Sequence, residues 1–136
     1  MGLLANFKIS GSAISAQSMR LNATASNMAN AETVAGSEQE AYRARETVFK
    51  SFVFDKARPA EAGVQMMGVV NSTAPIKQKY DPQNPMANEQ GFVFGSNVDT
   101  VEEMVNMLSS SRSYQNNVEV LNTSKELLIR TLSLGN

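Results

Sequence analysis

The chain has 136 residues, which is enough for one domain with a modest hydrophobic core. Its 12 basic and 13 acidic residues nearly balance, so it lacks the basic surface that nucleic-acid binding requires. Cysteine, histidine and tryptophan are absent, which removes disulfides, the commonest general base and most transition-metal ligands. We therefore expect no enzyme activity, no cofactor or metal, and no small-molecule substrate.

The start of the sequence, MGLLANFK, has no basic stretch ahead of a hydrophobic one, so we expect no cleaved signal peptide. The longest apolar runs cover only a few residues, and we expect no segment that inserts into a membrane. The expected class is therefore neither an integral membrane protein nor one secreted with a cleaved leader.

The first of three segments, residues 1–31, has a heptad-like pattern in which large and small side chains alternate along one helical face. Only Lys8 and Arg20 are charged in this segment. A helix with so little charge has little solvated surface, and its small residues permit close packing on more than one side. The large positions are Phe7, Ile14, Leu21 and Met28, and the asparagines beside them are Asn22, Asn27 and Asn30.

The last segment, residues 98–136, predicts a longer helix, since neither glycine nor proline interrupts it before Gly135. Asp99 or Thr100 is the expected N-cap, and the two glutamates that follow complement the helix dipole. A seam with a mean spacing of about 3.5 residues favours left-handed pairing with another helix. Its large side chains are Met104, Met107, Tyr114, Val118, Leu121 and Leu128.

The middle segment, residues 32–97, holds all four prolines and most of the glycines. Residues 42–49, 64–70 and 91–95 form short β-like runs, and residues 80–85 predict a turn or rigid loop. The predicted fold is mainly α with a small, irregular β-rich insert. The N- and C-terminal helices are expected to pair in a coiled-coil-like layer.

Two interpretations of the terminal seams stay open on these patterns. They could close a helical hairpin within one monomer, a soluble adaptor or chaperone-like binding module. They could instead be contact surfaces between subunits, with asparagines that set the register. The low charge of the first helix favours subunit contacts, because two helices from a short chain do not easily bury so wide a surface.

The segment SGSAISAQSMRLNATASNMANAET resembles the Asn-rich signature of the flagellar rod, hook and axial protein family. YRARETVF, YDPQNPMANEQGFV and NVDTVEEMVNMLSSSRSYQNNVEVLNTSKELLIRTLSLG are similar to segments of its basal-body rod members. The resemblance covers nearly the whole chain. TVAGSEQEA stands where hook and distal-rod relatives have a T-x-G-Y/F turn, which favours the proximal-rod branch.

The resemblance implies a structural subunit of the proximal rod, which polymerises through its terminal helices and transmits motor torque for motility. The implied location is the periplasm-spanning rod of the basal body, reached through the flagellar type III export apparatus without a cleaved signal. Implied partners are further copies of the chain and FlgB-, FlgF-, FlgG- and FliE-like rod proteins. We expect the large side chains and asparagines named above to form the subunit interface, and the termini to order on assembly.

Overall fold

The structure, a computed structural model, describes residues 2–135. A long helix stands at each end of the chain, and the strands lie between them in sequence. The prediction of a mainly helical chain with a small β insert is therefore confirmed. In chain order the elements are α1 (Leu3–Ala29), β1 (Val34–Ala35), β2 (Arg45–Val53), β3 (Ala62–Asn71), β4 (Gln78–Tyr80), β5 (Phe92–Gly95) and α2 (Thr100–Leu134).

The start of α2 is well defined by its cap. The Asp99 carboxylate accepts hydrogen bonds from the backbone amides of Val101 and Glu102 at 2.9 and 3.2 Å, so the N-cap prediction is confirmed. By contrast, no side chain of residues 2–135 caps the start of α1, and its first turn has no acidic residue. Local sequence therefore stabilises the start of α2 better than that of α1.

The two helices run antiparallel, since the last turn of α1 meets the first turn of α2. The side-chain amide of Asn27 donates to a carboxylate oxygen of Glu103 at 3.0 Å at this end. With 27 and 35 residues, α1 and α2 are about 40 and 53 Å long. Measured from the Asn27–Glu103 contact, α2 extends about two turns beyond the start of α1.

Within residues 2–135, α1 is the only helix or strand that packs against α2. The buried residues of α2 are Ser110 and Ser124, and those of α1 are also small or polar. Large apolar side chains on the described helices are at most half-buried. The contact between the helices therefore has close packing but little of the apolar burial that stabilises a hydrophobic core.

A β2–β3 hairpin lies against α1, with antiparallel pairing from Arg45 opposite Asn71 to Val53 opposite Ala62. The register shifts at Val48/Phe49, which marks a bulge or local irregularity. A second antiparallel sheet has the strand order β1-β5-β4. The two sheets are separate, so the hairpin depends on the helix for support.

The best-buried part of the chain is the junction between the two helices and the middle segment. Val93, Ser96 and Val98 each have an exposed fraction of 1% there. The Ser96 hydroxyl donates to the carbonyl of Ala31 at 2.6 Å, and Lys77 Nζ donates to the carbonyl of Val98 at 2.9 Å. The Ser96 contact ties the chain just after α1 to the chain just before α2, and the Lys77 contact ties the residue before β4 to that same segment.

The three predicted β-like runs correspond to strands with shifted ends, since β2 begins later than expected and β3 extends further in both directions. The two- and three-residue strands β1 and β4 were not predicted, because strands so short leave no periodic pattern. Residues 81–85 lie outside the strands, in agreement with the predicted turn, although Tyr80 ends β4. Neither α1 nor α2, the two helices within residues 2–135, contains an apolar stretch that could span a bilayer.

Candidate subunit interface

Asn27, in the last turn of α1, is buried, with an exposed fraction of 1%. Its Nδ2 donates to the carbonyl of Arg45 and to Oε1 of Glu103, each at 3.0 Å. Its Oδ1 accepts from the Arg45 amide at 2.8 Å and from the Tyr42 hydroxyl at 3.0 Å. All four hydrogen-bonding positions of the amide are therefore used, and they join α1, the start of β2 and the first turn of α2.

The partners of Asn27 were not predicted as functional residues. The sequence pattern predicts that Glu103 only complements the helix dipole, and it predicts Tyr42 in a strand, although that strand begins at Arg45. The sequence offers little signal for such a cluster, since Asn27 and Glu103 lie 76 residues apart and meet only once the chain is folded.

The other two predicted asparagines have different surroundings. Asn30 is the C-cap of α1, and its Nδ2 donates to the carbonyl of Ser26 at 2.8 Å. Its own carbonyl accepts from the Thr33 hydroxyl at 2.7 Å, which stabilises the turn after the helix. The side chain of Asn22 is exposed and remains open to a partner.

The predicted apolar interface residues are mostly half-buried in the single chain. Met104 is exposed, and its side chain faces away from the buried positions of α2. A half-buried side chain packs within its own chain and still offers surface to a second protein. The half-buried members are Phe7, Ile14, Leu21, Met28, Met107, Tyr114, Val118, Leu121 and Leu128.

An apolar stripe lies on the outer surface of the first turns of α2. It consists of Val101, Met104, Val105 and Leu108, which are spaced as neighbours on one helical face and are 54–71% exposed. Of these, only Met104 was predicted. The other three are spaced three or four residues apart, as the seam residues are. The same spacing rule could therefore have identified them as a second apolar face of α2 beside the predicted seam.

The opposite end of α2 also carries uncovered apolar side chains. Leu132 and Leu134 lie in the part that extends beyond α1 and are 65% and 88% exposed. Ile129, just before them, is also more than half exposed. Apolar surface uncovered at both ends of one helix is typical of a surface that contacts further protein.

The exposed surface of α1 is different, since it is composed mainly of small, uncharged residues. Ser15, Ser18, Asn22, Ala25 and Ala29 are exposed along it at helical spacing. Such a face allows the backbone of another helix to approach closely. Together the two helices present large apolar side chains on one surface and small ones on another.

Comparison with known proteins gives two partial and several full-length matches. Residues 7–36 match the family model described as flagella basal body rod protein, and residues 89–134 match the one for the flagellar basal body rod FlgEFG protein C-terminal region. The flagellar basal-body rod protein FlgC of Escherichia coli is 51% identical over 135 residues, and that of Salmonella typhimurium is 50% identical over 137. FlgC of Buchnera aphidicola from Baizongia pistaciae is 35% identical over 138 residues, and each comparison covers 99% of both chains.

Two long terminal helices with uncovered apolar faces, joined by a small β-rich middle, are typical of a structural protein that assembles with other subunits. These relatives place that assembly in the flagellar basal body. The chain belongs to the FlgC family of flagellar basal-body rod proteins. It is a structural subunit of the rod, and its relatives are structural proteins and not enzymes.

Proposed function

We propose that the chain forms part of the proximal rod by polymerising through its terminal helices, and that it transmits motor torque passively along that rod. The observation that carries the proposal is the outer stripe of α2, Val101, Met104, Val105 and Leu108, which is more than half exposed in one chain. Exposed apolar residues at this density favour burial against another subunit. A torque-bearing shaft needs such contacts because passive transmission depends on rigid packing.

In the proposed assembly the two helical segments, residues 1–31 and 98–136, form an inner coiled-coil-like layer, and residues 32–97 lie outside it. The large side chains of one α2 pack on the small-residue face of a neighbouring α1. These two faces are not identical, and contacts between unlike faces that do not close into a ring generate a helical assembly. Most of the predicted interface residues are half-buried in the single chain, while Asn22 and Met104 are exposed and Asn27 is buried. The exposed and half-buried side chains have surface left for a further partner.

The proposed partners are further copies of the chain and FlgB-, FlgF-, FlgG- and FliE-like rod proteins, whose terminal helices would meet the same faces. We also propose that the chain crosses the inner membrane through the flagellar type III export apparatus, without cleavage of a signal peptide, and functions in the periplasm-spanning rod. The near-neutral composition supports contacts based mainly on packing and not on a strongly charged surface.

The proposal is tested by making the outer stripe polar in a flagellated strain that lacks its own copy of the gene. Val105→Gln combined with Leu108→Gln removes apolar side chains that have few contacts within the chain, so the free subunit should keep its circular dichroism spectrum. The variant should fail to enter purified basal bodies and should not restore swimming, because the lost burial lies between subunits.

Glu119→Gln is the matched control, since it changes an exposed position on the same helix without altering an apolar side chain. It should restore swimming as wild type does. Normal rod assembly and motility by the stripe variant would contradict the proposed interface. A monomeric wild-type chain that is absent from basal bodies would favour the adaptor interpretation instead.

A further inference from the structure

A groove runs between α1 and the outer edge of β3, and the contacts described so far do not fill it. One cavity of about 420 Å³ lies between residues 19–26 of α1 and Met66, Val69 and Asn71 of β3. A second, also about 420 Å³, continues toward Ser12 and Val64. The two cavities share Met19 and Met66, so together they form one α1–β3 groove.

The wall formed by β3 is an open strand edge. The Arg45 amide donates to the Asn27 side chain and the Arg45 carbonyl accepts from it, so these backbone groups point away from β3. Opposed residues of an antiparallel ladder point their backbone groups inward or outward together, and the direction alternates along the strand. Asn71, opposite Arg45, therefore turns its backbone groups away from β2, as does Val69 two residues earlier.

The same reasoning holds on the other side of the irregularity in the hairpin. The Val64 amide donates to the Ser12 hydroxyl of α1 at 3.1 Å and so also points away from β2. Met66, two residues further on, presents the next outward pair of backbone groups. Helix α1 thus covers the β3 edge at Val64, whereas no hydrogen bond within the described chain engages the outward groups of Met66, Val69 or Asn71.

This edge lacks the features that usually protect an open strand. β3 spans ten residues without proline or a charged side chain, and Val69 is 46% exposed. Exposed edges are normally blocked by lysine, proline or a covering element, because they otherwise pair with another strand. Met19 and Met66 in the middle of the groove have flexible side chains that adapt to varied apolar partners.

The positive charge of Arg45 in the groove indicates which charge the bound segment carries. Arg45 is the only charged residue that the structure places in the lining of either cavity, and it lies at the Asn71 end. Its guanidinium is 5.9 Å from the ring centroid of Tyr42 and has no carboxylate within 4.0 Å among residues 2–135. A carboxylate on the incoming segment would supply the missing opposite charge.

We propose that the α1–β3 groove binds an extended segment of a neighbouring rod subunit, which pairs with the β3 edge as a third strand. Every second side chain of the segment is apolar and packs over Met19 and Met66, and an aspartate or glutamate of the segment lies beside Arg45. This inference rests on the proposed assembly, and it adds a strand-pairing contact in the middle segment to the helix contacts. Main-chain hydrogen bonds supply affinity, and the methionines and Arg45 select the side chains.

The experiment uses single-cysteine variants, because the natural chain contains no cysteine that would react. Val69→Cys lies on the groove edge, and Val48→Cys on β2 is the matched control, since the two valines are 46% and 42% exposed. Each free subunit and each purified basal body is treated with a maleimide. Both cysteines should react in the free subunit, whereas only Val69→Cys should lose its reactivity in basal bodies.

Continued reactivity of Val69→Cys in basal bodies that contain the chain would overturn the groove proposal and leave the rod assignment intact. Equal protection of both cysteines would also contradict it, because the edge would then not be selectively covered. A chain missing from the basal bodies would overturn the proposed assembly itself. Cross-linking from Val69→Cys should capture a segment with a nearby carboxylate, and capture of a terminal helix instead would refute strand pairing.

Four further variants, two substitutions each with a conservative control, test the chemistry of the groove. Val69→Pro removes the outward N–H, whereas Val69→Thr keeps it and the β-branched side chain. Arg45→Glu reverses the charge, and Arg45→Lys retains it; neither alters the backbone groups that bind Asn27. In folded subunits, Val69→Pro and Arg45→Glu should lose incorporation into basal bodies, whereas Val69→Thr and Arg45→Lys should retain it. Equal incorporation of all four variants would contradict the proposal.

Discussion

The amide of Asn27 connects parts of the chain that are far apart in sequence. Its four hydrogen bonds reach Tyr42, both backbone groups of Arg45, and Glu103. The hydroxyl of Tyr42 also lies 3.1 Å from that of Ser26, so the cluster continues along α1. A buried network whose members are all paired favours one arrangement of the elements, because any other leaves polar groups unpaired.

Replacing Asn27 with alanine should lower the free energy of unfolding by about 3 kcal/mol, since it leaves several buried polar groups without partners. Urea unfolding followed by circular dichroism measures this loss. Asn22→Ala is the control, because Asn22 lies on the same helix with an exposed side chain. It should stay within about 0.5 kcal/mol of wild type. Similar losses for both variants would show that the Asn27 network adds no specific stability.

The fit between α1 and the β2–β3 hairpin depends on a close approach at Gly63. A Cβ there would lie 2.6 Å from Phe54 Cζ and 2.8 Å from the Ser12 hydroxyl oxygen. Ser12 cannot move freely, because its hydroxyl donates to the carbonyl of Ile9 and accepts from the amide of Val64. The hairpin therefore needs glycine at this position to reach the helix.

Gly63→Ala should destabilise the chain by about 1–3 kcal/mol, because the added methyl group displaces Phe54 or Ser12. Gly11→Ala is the matched substitution, since a Cβ at Gly11 meets no atom of residues 2–135 within 4 Å. It lies inside α1 and should instead stabilise the chain by about 0.5–1 kcal/mol, as alanine favours helix over glycine. Thermal unfolding of the two variants compares them directly, and a change of the same sign in both would refute this description of the contact.

The long elements were predictable from the sequence, whereas the residues that α2 buries most deeply against α1 were not. Apolar periodicity and the Asp99 cap identify α2, but the positions it buries against α1 are Ser110 and Ser124. Periodicity identifies an apolar face without telling whether the same chain or another one covers it. The Asn27 network was also unpredictable, because its members are far apart in sequence. They come together only when residues 30–99 fold and bring β2 and the start of α2 to the end of α1.

Across the whole molecule, burial is concentrated at the junction and decreases along the helices. Val93 and Val98 are buried at the junction, while the α1–α2 contact buries mainly alanine and hydroxyl side chains. At the far end, Leu134 is 88% exposed. Because most helices in proteins are stabilised by packing of an apolar face, the distal turns of this pair have little support within one chain.

We therefore predict that the dilute free subunit has fewer helical residues than the 27 and 35 of α1 and α2, and that helicity rises on assembly. Folding coupled to binding would delay polymerisation until the subunit reaches the rod. Hydrogen exchange on the dilute monomer should find the Val98 amide protected and that of Leu132 exchanging freely, so the junction serves as an internal control. Circular dichroism should show helicity increasing when the subunit associates. Full helicity in a dilute monomer, with equal protection along α2, would mean that the helix pair is stable alone and that assembly adds contacts without adding order.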